Sequence, residues 1–376
     1  MSGSVGRTPS QPPDFGEPAR FFTAETDGVP RYSIEVAAGR WMVLMIFGTL
    51  ANPDSAHAHN DIWAAADLFN DTDAVFYGVS GDPRDRSERG AVNAPFGLRY
   101  FRDYDYRIAR LYGLADDSHL RPAVFLIDRG FRILMAEPIE NTPAVIARLR
   151  QELAAEPSLA DSPMAPVLTL PRIFEPAFCE RLIAYFQSRT YSESGFAIEV
   201  EGRTVDLINT HLKRRQDVTV EDAELLAAIE AKLRDRLFPM IKRAFNWQAT
   251  QIERFLICRY SEEDQGFFFA HRDDATAGTA HRKFAVTVNL NAEDFEGGEL
   301  KFPEFGQRTY RPPTGGATVF CCSLLHEATP VTKGVRYAFV PFLYDEAGAH
   351  LRRANLSLVG PTGGGTRERK LGKLRR

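Results

Sequence analysis

The chain has 376 residues, of which 44% are hydrophobic and 26% are charged, and its formal net charge is −4. This length allows roughly two to three domains, and no apolar run approaches the roughly 20 residues of a membrane span, so a transmembrane protein is excluded. The N-terminus lacks a basic-then-apolar pattern and there are only four cysteines, which argues against secretion or a disulfide scaffold and favours a cytoplasmic protein.

The N-terminal part of the chain predicts an α/β domain. Residues 1–18 are rich in Pro, Gly and Ser and are expected to be disordered. Within residues 19–155, helix-like periodicity at Ile62–Phe69 separates short continuous apolar runs, which are typical of buried strands. These runs are Trp41–Phe47, Ala74–Val79 and Ala123–Ile127.

A composition change marks the boundary to a second domain. Three prolines and several small residues lie between Leu153 and Val167, so we assign residues 156–165 to a linker. Residues 166–350 then read as helices followed by an antiparallel sandwich or barrel. The helices are predicted at Pro176–Phe186 and after a capping box at Thr219–Asp222, with an end near Pro239. Strands are predicted at Phe284–Leu290, Gly298–Phe302, Ala317–Cys321 and Val335–Tyr344.

The last residues, 351–376, form a basic tail. They carry 8 basic side chains and 1 acidic one beside a Gly-rich stretch. A flexible, solvated terminus explains this composition better than a nucleic-acid or membrane contact. The rest of the chain shows no basic excess, so a nucleic-acid partner is disfavoured.

Metal-ligating residue types concentrate in the second domain. His271 and Asp273 are two residues apart, so on a strand or at its end they point to the same side. A His-x-Asp pair alone is a weak signal, but His326 follows 53 residues after Asp273, beyond an apolar strand. Two imidazoles and one carboxylate that leave positions open are typical of the facial triad of non-haem Fe(II) oxygenases.

Arg336 follows His326 by ten residues, after the turn Thr332–Gly334. Strand alternation places Arg336, Ala338 and Val340 on one face, so a guanidinium can enter the same barrel mouth as the metal. Such a planar group can bind a carboxylate through two parallel hydrogen bonds.

This ordered set of motifs resembles the 2-oxoglutarate- and Fe(II)-dependent dioxygenases of the prolyl-4-hydroxylase-like type, including the bacterial PKHD-type hydroxylases. The resemblance covers about residues 166–346. It is carried by His271-x-Asp273, Gly297-Gly-Glu-Leu300, His326-Glu-Ala-Thr-Pro-Val and Lys333-Gly-Val-Arg336, with Phe174–Ile183 matching the helix before the barrel.

The resemblance implies a fold, cofactors and site residues. The fold would be a double-stranded β-helix, or jelly roll, with preceding helices. His271, Asp273 and His326 would bind Fe(II), and Arg336 would bind the distal carboxylate of the cosubstrate 2-oxoglutarate, with ascorbate as a candidate reductant. Because halogenating relatives replace the carboxylate with a small residue, Asp273 implies hydroxylation.

Two further residues are candidates for cosubstrate binding. Where relatives often place a hydroxyl two residues beyond the Arg, this chain has Ala338, so another hydrogen bond is needed. Tyr260, which precedes the metal motif by 11 residues, is the candidate, and Asn289 is expected to line the pocket. For both, a hydrogen-bonded core polar residue is an equally good interpretation.

The first domain resembles the peroxiredoxin and AhpC/TSA branch of the thioredoxin fold over roughly residues 15–155. The loop Gly48–Ser55, where relatives hold the nucleophilic cysteine, has none, and residues 1–150 contain no cysteine. Peroxidatic chemistry requires a thiolate, which a serine or threonine hydroxyl cannot replace. We therefore expect a redox-inactive module, either positioning a substrate or partner or acting as a structural appendage. The resemblance also implies a cis bond before Pro122.

Other residues have simpler interpretations. His281 lies in a stretch that looks like a loop, and a solvated histidine is expected there rather than a fourth ligand. Cys321 and Cys322 are adjacent on an apolar strand, so packing explains them better than redox chemistry.

The sequence thus predicts a two-domain protein, α/β followed by α+β, that hydroxylates an unactivated C–H with release of succinate and CO2. An amino-acid or peptidyl substrate, with proline as one example, is favoured over a small natural-product intermediate. The alternative is a non-catalytic scaffold in which both domains have lost activity. A peptide, protein or small-molecule substrate is the expected partner, no membrane is expected, and a homodimer is a further candidate assembly.

Overall fold

The computed structural model describes residues 11–26, 29–85, 97–116, 119–155, 164–360 and, for the backbone alone, 368–370. The chain divides into two compact units, Met1–Met164 with Pro303–Gln307, and Ala165–Phe302 with Arg308–Arg376. The predictions of disorder at residues 1–10, of a linker at 156–163 and of a flexible tail at 361–367 and 371–376 lie outside the described residues.

The first unit is built around a seven-stranded sheet. In the order β2-β1-β5-β4-β3-β6-β7, the neighbouring strands β3, β4 and β5 are parallel and the other pairs are antiparallel. The strands are β1 (Thr23–Thr26), β2 (Val29–Ser33), β3 (Trp41–Gly48), β4 (Ala74–Ser80), β5 (Leu98–Arg102), β6 (Ala123–Ile127) and β7 (Ile133–Pro138), and the helices are α1 (Pro53–Ala64), α2 (Arg107–Leu111) and α3 (Thr142–Ala154).

Strand alternation gives this sheet an apolar face on each side. Met42, Leu44 and Ile46 of β3 belong to one buried cluster, which also contains Ile108 of α2. The alternate residues of β3 join a second cluster with Ile62 of α1 and side chains of α3. Helices therefore cover both faces, which explains why these strands read as continuous apolar runs. This confirms the thioredoxin-like fold.

Two local expectations for this unit need correction. The helix predicted at Ile62–Phe69 instead begins at Pro53, because Asn52 caps it by accepting hydrogen bonds from Asp54 N and Ser55 N, and a short 3-10 turn follows it. The cis bond expected before Pro122 is wrong, since every peptide bond in the described part of the chain is trans.

The second unit contains most of the strands. They are β8 (Leu168–Leu170), β9 (Ser192–Glu193), β10 (Phe196–Val200), β11 (Arg203–Leu207), β12 (Lys213–Arg214), β13 (Gln216–Thr219), β14 (Gln251–Glu253), β15 (Leu256–Ser261), β16 (Phe267–His271), β17 (Phe284–Asn289), β18 (Phe295–Gly297), β19 (Leu300–Lys301), β20 (Thr309–Tyr310), β21 (Ala317–Cys321), β22 (His326–Ala328), β23 (Val331–Phe339), β24 (Phe342–Tyr344) and β25 (Glu368–Lys370). The helices are α4 (Pro176–Gln187), α5 (Ala223–Lys232), α6 (Phe238–Phe245) and α7 (Glu346–Ala354).

Two sheets form the jelly roll that the sequence predicts. The larger sheet contains the adjacent strands β15, β23, β17 and β21, and the smaller sheet has the order β12-β16-β22-β19-β20. A small apolar cluster combines Cys258, Tyr260 and Ala338 of the larger sheet with Ala328 and Phe268 of the smaller one. The two sheets therefore face each other across this cluster, which we call the barrel interior.

The outer face of the larger sheet packs against helices. Val286 and Val288 of β17 share a buried cluster with Leu182 of α4 and Ile229 of α5. The alternate residues of the same strand point to the barrel interior. The helices thus bury one face of the sheet and leave the other for the site.

The helices of the second unit begin at residues that the sequence only partly indicates. The α5 N-cap is Asp222, which accepts from Leu225 N at 2.8 Å, rather than Thr219. Pro239 does not end the helical region but lies in the first turn of α6, where a missing N–H costs nothing, after a π-helical turn at Leu233–Leu237.

Among the residues described, no helix combines the length and the hydropathy that crossing a bilayer requires.

Candidate metal centre

His271, Asp273 and His326 meet at one end of the smaller sheet. His271 ends β16 and His326 begins β22, and the two residues are direct antiparallel partners. Asp273 follows β16 by two residues, and its backbone N–H donates to Cys322 O at 2.9 Å. One potential ligand atom from each of the three residues lies within 4.8 Å of the other two. The pairing of β16 with β22 therefore assembles the predicted triad.

Both imidazoles present the same nitrogen to the carboxylate. His271 Nε2 lies 3.5 Å from Asp273 Oδ1, and His326 Nε2 lies 3.4 Å from Asp273 Oδ2. Each Nδ1 instead faces a backbone carbonyl, that of Phe269 at 2.7 Å and that of Leu324 at 3.0 Å. A proton on each Nδ1 leaves both Nε2 lone pairs available to a metal, which is the usual arrangement for a histidine ligand.

The electrostatic setting favours the protonation states that a metal needs. Burial lowers the pKa of His326 to about 4, with a further contribution from His271, so its imidazole is neutral near pH 7. Burial alone would raise the pKa of Asp273, but the imidazoles of His326 and His271 hold it well below its usual range. Neutral imidazoles and an ionised carboxylate are the ligating forms.

Aromatic rings shield this triad. The Phe268 ring stacks on His271 with centroids 3.5 Å apart, and the Phe320 ring lies 4.5 Å from His326. The rings limit access of water to two of the three ligands. Two histidines and one carboxylate are the donor set of the non-haem Fe(II) sites, so the residues present fit Fe(II).

Buried charges hold the backbone of Asp273. Arg282 donates from Nη1 to Asp273 O at 3.2 Å, and it is itself bound by Glu253, which accepts from Nε at 3.0 Å and from Nη2 at 2.7 Å. His281 Nε2 lies 2.7 Å from the same carboxylate. His281 is 2% exposed, so the expectation of a solvated histidine is wrong. Its packing against Tyr344 and its bond to Glu253 come from strands distant in sequence.

Arg336 and Tyr260 lie side by side in the barrel interior. They are cross-strand partners on β23 and β15, and the guanidinium carbon lies 5.2 Å from the Tyr260 ring centroid. Arg336 is only 3% exposed, yet in the described part of the chain no carboxylate lies within 4.0 Å of it. Gly298, at positive φ, leaves room for this side chain, because a Cβ there would lie 3.2 Å from Arg336 Cδ. A buried cation without an anion is what a carboxylate cosubstrate would satisfy.

Asn289 lies one row further along the same face. It is the cross-strand partner of Ala338, which in turn pairs with Cys258. Its Nδ2 donates to Pro312 O at 2.8 Å, while its Oδ1 is buried without a hydrogen-bond partner. The structure thus places Asn289 beside the Arg336–Tyr260 pair.

Three charged residues near the barrel interior were not predicted from the sequence. Lys213 of β12, Asp217 of β13 and Arg254, which follows β14, are distant from the metal motif in the chain. No spacing rule connects them to it, so only the folded arrangement identifies them.

In the loop Gly48–Ser55 of the first unit, which has no cysteine, the hydroxyl groups of Thr49 and Ser55 donate hydrogen bonds within the protein. Ser55 is fully buried and donates to Phe47 O at 2.9 Å, and Thr49 donates to Asp82 Oδ2 at 2.9 Å. The four cysteines of the chain, Cys179, Cys258, Cys321 and Cys322, are all free and lie in the second unit. Burial raises the pKa of Cys179 to about 12 and raises those of Cys258 and Cys322.

Comparison with known proteins supports both domain assignments. Residues 255–344 match the family described as the 2OG-Fe(II) oxygenase superfamily, and residues 15–134 match the AhpC/TSA family. A PKHD-type hydroxylase of Synechococcus sp. (strain JA-2-3B'a(2-13)) is 35% identical over 125 residues, covering 32% of this chain and 51% of that protein. One from Thioalkalivibrio sulfidiphilus is 24% identical over 180 residues, 45% of this chain and 74% of that protein. The resemblances inferred from the sequence are therefore confirmed.

Solved structures resemble each half of the chain in turn. A Trichoplax adhaerens prolyl hydroxylase in complex with a hypoxia inducible factor peptide fragment shares 15% identity, with 50% of this chain and 87% of that chain covered and a TM-score of 0.40. The peroxidoxin BcpB of Mycobacterium tuberculosis shares 18% identity, with 37% and 97% covered and a TM-score of 0.32. The chain spans about half the length of the first curated relatives that it matches.

Proposed function

We propose that this chain, whose C-terminal half carries the match to the 2OG-Fe(II) oxygenases, is a 2-oxoglutarate- and Fe(II)-dependent dioxygenase that hydroxylates an unactivated C–H. The observation that carries the proposal is the triad of His271, Asp273 and His326, whose ligand atoms lie within 4.8 Å of one another. Arg336 supports it as a second observation, because this buried guanidinium has no carboxylate within 4.0 Å among the described residues.

The protein's residues bind, orient and shield in this reaction. Iron and 2-oxoglutarate, when bound, supply the oxidising chemistry, with succinate and CO2 as coproducts. His271, Asp273 and His326 would hold the iron, because two imidazoles and one carboxylate are the ligand set of non-haem Fe(II) oxygenases. Arg336 binds the distal carboxylate of 2-oxoglutarate, with the Tyr260 hydroxyl as the second donor and Asn289 lining the pocket. Phe268 and Phe320 exclude water from the ligands.

We propose an amino-acid or peptidyl substrate, with a prolyl residue as one example. The names of the PKHD-type hydroxylase relatives support hydroxylation as the reaction. The retained Asp273 favours hydroxylation over halogenation, because the carboxylate occupies the position that a halide would need.

The first unit is proposed to position a substrate or partner without redox chemistry. The loop Gly48–Ser55 has no cysteine, and the chain has none before Cys179. A cytoplasmic location is proposed from the four free cysteines, since a reducing compartment keeps thiols unpaired. The homodimer stays a prediction, which sedimentation of the purified protein tests.

Turnover of the cosubstrate tests the proposal. Purified protein reconstituted anaerobically with Fe(II) and 2-oxoglutarate, then exposed to oxygen, should form succinate. Complete absence of succinate, with iron bound and the fold intact, would favour the alternative of a non-catalytic scaffold.

A further inference from the structure

Two basic side chains at the barrel interior, Lys213 and Arg254, form no ion pair with any carboxylate that the structure describes. Lys213 is 4% exposed, and its Nζ donates to Gly195 O at 2.7 Å and lies 4.3 Å from the centroid of the Phe268 ring. Arg254 donates from Nε to Val340 O at 3.2 Å, and its guanidinium carbon lies 4.1 Å from the Phe342 ring centroid. Of the carboxylates that the structure describes, none lies within 4.0 Å of either cation.

The two cations border the same space as the metal centre. Phe268, beneath Lys213, stacks on His271, and Phe268 and Val340 both pack on the small cluster of the barrel interior. Burial and the positive charges of Arg215 and Arg254 lower the pKa of Lys213, whereas the carboxylate of Asp217 raises it. Burial, Arg215 and Arg282 likewise lower the pKa of Arg254, whereas Asp217 and Asp273 raise it. Since Arg336 is already assigned to 2-oxoglutarate, Lys213 and Arg254 are left to attract a second anion.

A carboxylate oxygen without a hydrogen-bond donor in the described part of the chain also belongs to a residue of the barrel interior. Asp217 is the cross-strand partner of Cys258 in the barrel interior. Its Oδ2 accepts from Arg215 Nη2 at 2.7 Å and from Ser194 Oγ at 2.5 Å, but its Oδ1 is buried with no hydrogen-bond partner. A buried acceptor left unsatisfied costs free energy, which a donor on a ligand would recover.

We propose that Lys213 and Arg254 bind the α-carboxylate of a free amino acid and that Asp217 accepts from its α-ammonium. This inference rests on the proposed function and names the substrate of the same site. Among the described residues, Lys213 and Arg254 have no carboxylate partner and Asp217 Oδ1 has no donor, so together they match the carboxylate and the ammonium of a zwitterion. An internal peptide residue carries neither charge. The substrate class is therefore the free amino acid rather than a residue inside a polypeptide.

The first experiment compares matched ligands on the full-length protein with Fe(II) and 2-oxoglutarate. The twenty common L-amino acids are assayed singly for succinate formation and for a product 16 mass units heavier, which is the mass of one added oxygen atom. Each responding amino acid is then compared with its primary amide and its N-acetyl derivative. We expect kcat/KM to fall at least tenfold for both derivatives. Equal turnover of the amide would overturn the carboxylate assignment, and equal turnover of the N-acetyl derivative would overturn the ammonium assignment.

A third comparison, with a peptide, distinguishes the two sources of a terminal carboxylate, which are a free amino acid and the C-terminus of a peptide. A tripeptide that ends in the responding residue keeps the carboxylate but lacks the ammonium on that residue. We expect it to react at least tenfold less efficiently than the free amino acid. A tripeptide that reacts better than the free amino acid would overturn the proposal and assign the site to peptide C-termini.

The second experiment changes Lys213. Lys213→Met should raise the Michaelis constant for the amino acid at least tenfold and leave the Michaelis constant for the cosubstrate unchanged. The matched control is Lys232→Met, because Lys232 also lies over an aromatic ring, that of Phe178 at 4.8 Å, but on helix α5. Thermal unfolding curves of both variants are recorded first to confirm that they fold. A raised Michaelis constant for the cosubstrate instead would show that Lys213 serves 2-oxoglutarate and would overturn the proposal.

A binding measurement works without turnover. The twenty amino acids and their amides are titrated calorimetrically into iron-free protein, with Lys213→Met as the comparison. The site is supported if an amino acid binds at least tenfold more tightly than its amide and if Lys213→Met loses this preference. This result would hold even if the protein forms no succinate, so a failure of the proposed function can be told apart from a failure of this inference. If the protein forms succinate but binds the free amino acid no more tightly than the amide, the inference is overturned while the proposed function stands.

Discussion

Each proposed metal ligand in this protein has a hydrogen bond that fixes the position of its ring or of its backbone. For the two histidines the partner is the carbonyl two residues earlier in the chain, whereas Asp273 depends on Cys322 and Arg282 for its backbone position. The ligand types and the two-residue spacing of His271 and Asp273 are visible in the sequence, so the triad could be predicted. Glu253, Lys213 and Arg254 have no such spacing, and only tertiary structure brings them to the site.

Loss of a ligand should abolish iron binding. In His271→Ala or Asp273→Ala, one of only three protein ligands is missing, so iron affinity should fall by more than about 100-fold, since outer partners alone are worth about 10–100-fold. The measurement is bound iron per protein by elemental analysis, with a melting curve to confirm folding. Near-normal iron content in both variants would show that the triad is misassigned.

The guanidinium of Arg336 should determine cosubstrate affinity. Arg336→Lys keeps the charge but loses the planar pair of donors, so the Michaelis constant for the cosubstrate should rise about 10- to 100-fold, or about 1.5–3 kcal/mol for a charged hydrogen bond. Steady-state kinetics at saturating iron measure this change. Arg259→Lys is the control, because Arg259 neighbours Tyr260 on β15 but pairs with Gln216 and Glu263 on the opposite face. A similar rise in both variants would contradict the assignment.

At the scale of elements, the connection from β16 to β17 carries the carboxylate ligand and is held by the edge of another strand. Glu253 at the end of β14 binds both His281 and Arg282 of this connection. Its pKa lies well below 4.5, because Arg282 and His281 outweigh the effect of burial, which raises it. The ion pair therefore secures the loop between two strands that the sequence does not link.

Neutralising Glu253 should destabilise the second unit. In Glu253→Gln, Arg282 stays buried without its anion, and we expect a loss of about 3 kcal/mol in the free energy of unfolding, as for broken buried pairs. Because the folded pKa of Glu253 is depressed, its stabilisation is fully present above its unfolded pKa, near 4.5, and is lost as the pH falls through the folded value. Urea unfolding of both proteins between pH 3 and pH 8 should show a constant difference above about pH 5 that shrinks in acid.

An exposed ion pair supplies the comparison for this variant. Glu296→Gln removes the partner of Lys333, and both side chains are more than half exposed. Its effect on unfolding should stay below about 1 kcal/mol. If Glu253→Gln costs no more than this control, or if its effect does not depend on pH, the ion pair does not secure the loop.

The strands of both units could be predicted from the sequence better than the helix boundaries. Continuous apolar runs such as Trp41–Phe47 mark strands covered on both faces, and the structure has β3 there. The helix boundaries were missed because capping residues determine them. Asn52 caps α1, so the helix begins at Pro53, nine residues before the predicted start at Ile62. Pro239 was taken as a stop, although a proline in the first turn is equally compatible with a start.

At the scale of the whole molecule, the chain combines a unit that holds the proposed metal centre with one that has no cysteine. A protein beginning near Ala165 should keep iron binding and the slow decay of 2-oxoglutarate without substrate, while coupled hydroxylation falls. Iron content, 2-oxoglutarate consumption and product formation are compared with those of the full chain, after melting confirms that the shortened protein folds. Unchanged hydroxylation of the true substrate would leave the first unit without a positioning role.

The full-length protein should also fail as a peroxidase. The loop Gly48–Ser55 has no cysteine, and burial raises the pKa of Cys179, Cys258 and Cys322, so we expect neither this loop nor these three thiols to supply the reactive thiolate that peroxide reduction needs. Peroxide consumption with dithiol reductants, in iron-free protein, should equal the rate without protein. A rate that saturates with peroxide and is abolished by thiol alkylation would contradict this expectation.

The hydrogen bonds of the two imidazoles in the proposed metal centre have a consequence for the order of assembly. Each bond spans two residues, so the direction of each imidazole can be set as soon as the ends of β16 and β22 form, whereas the two imidazoles meet only when these strands pair across 55 residues of chain. Short loops close early and distant contacts close late. During refolding, divalent metal should therefore bind weakly to an incomplete set of ligands first and become tightly held only when β16 pairs with β22, so the time course of metal uptake reports that step.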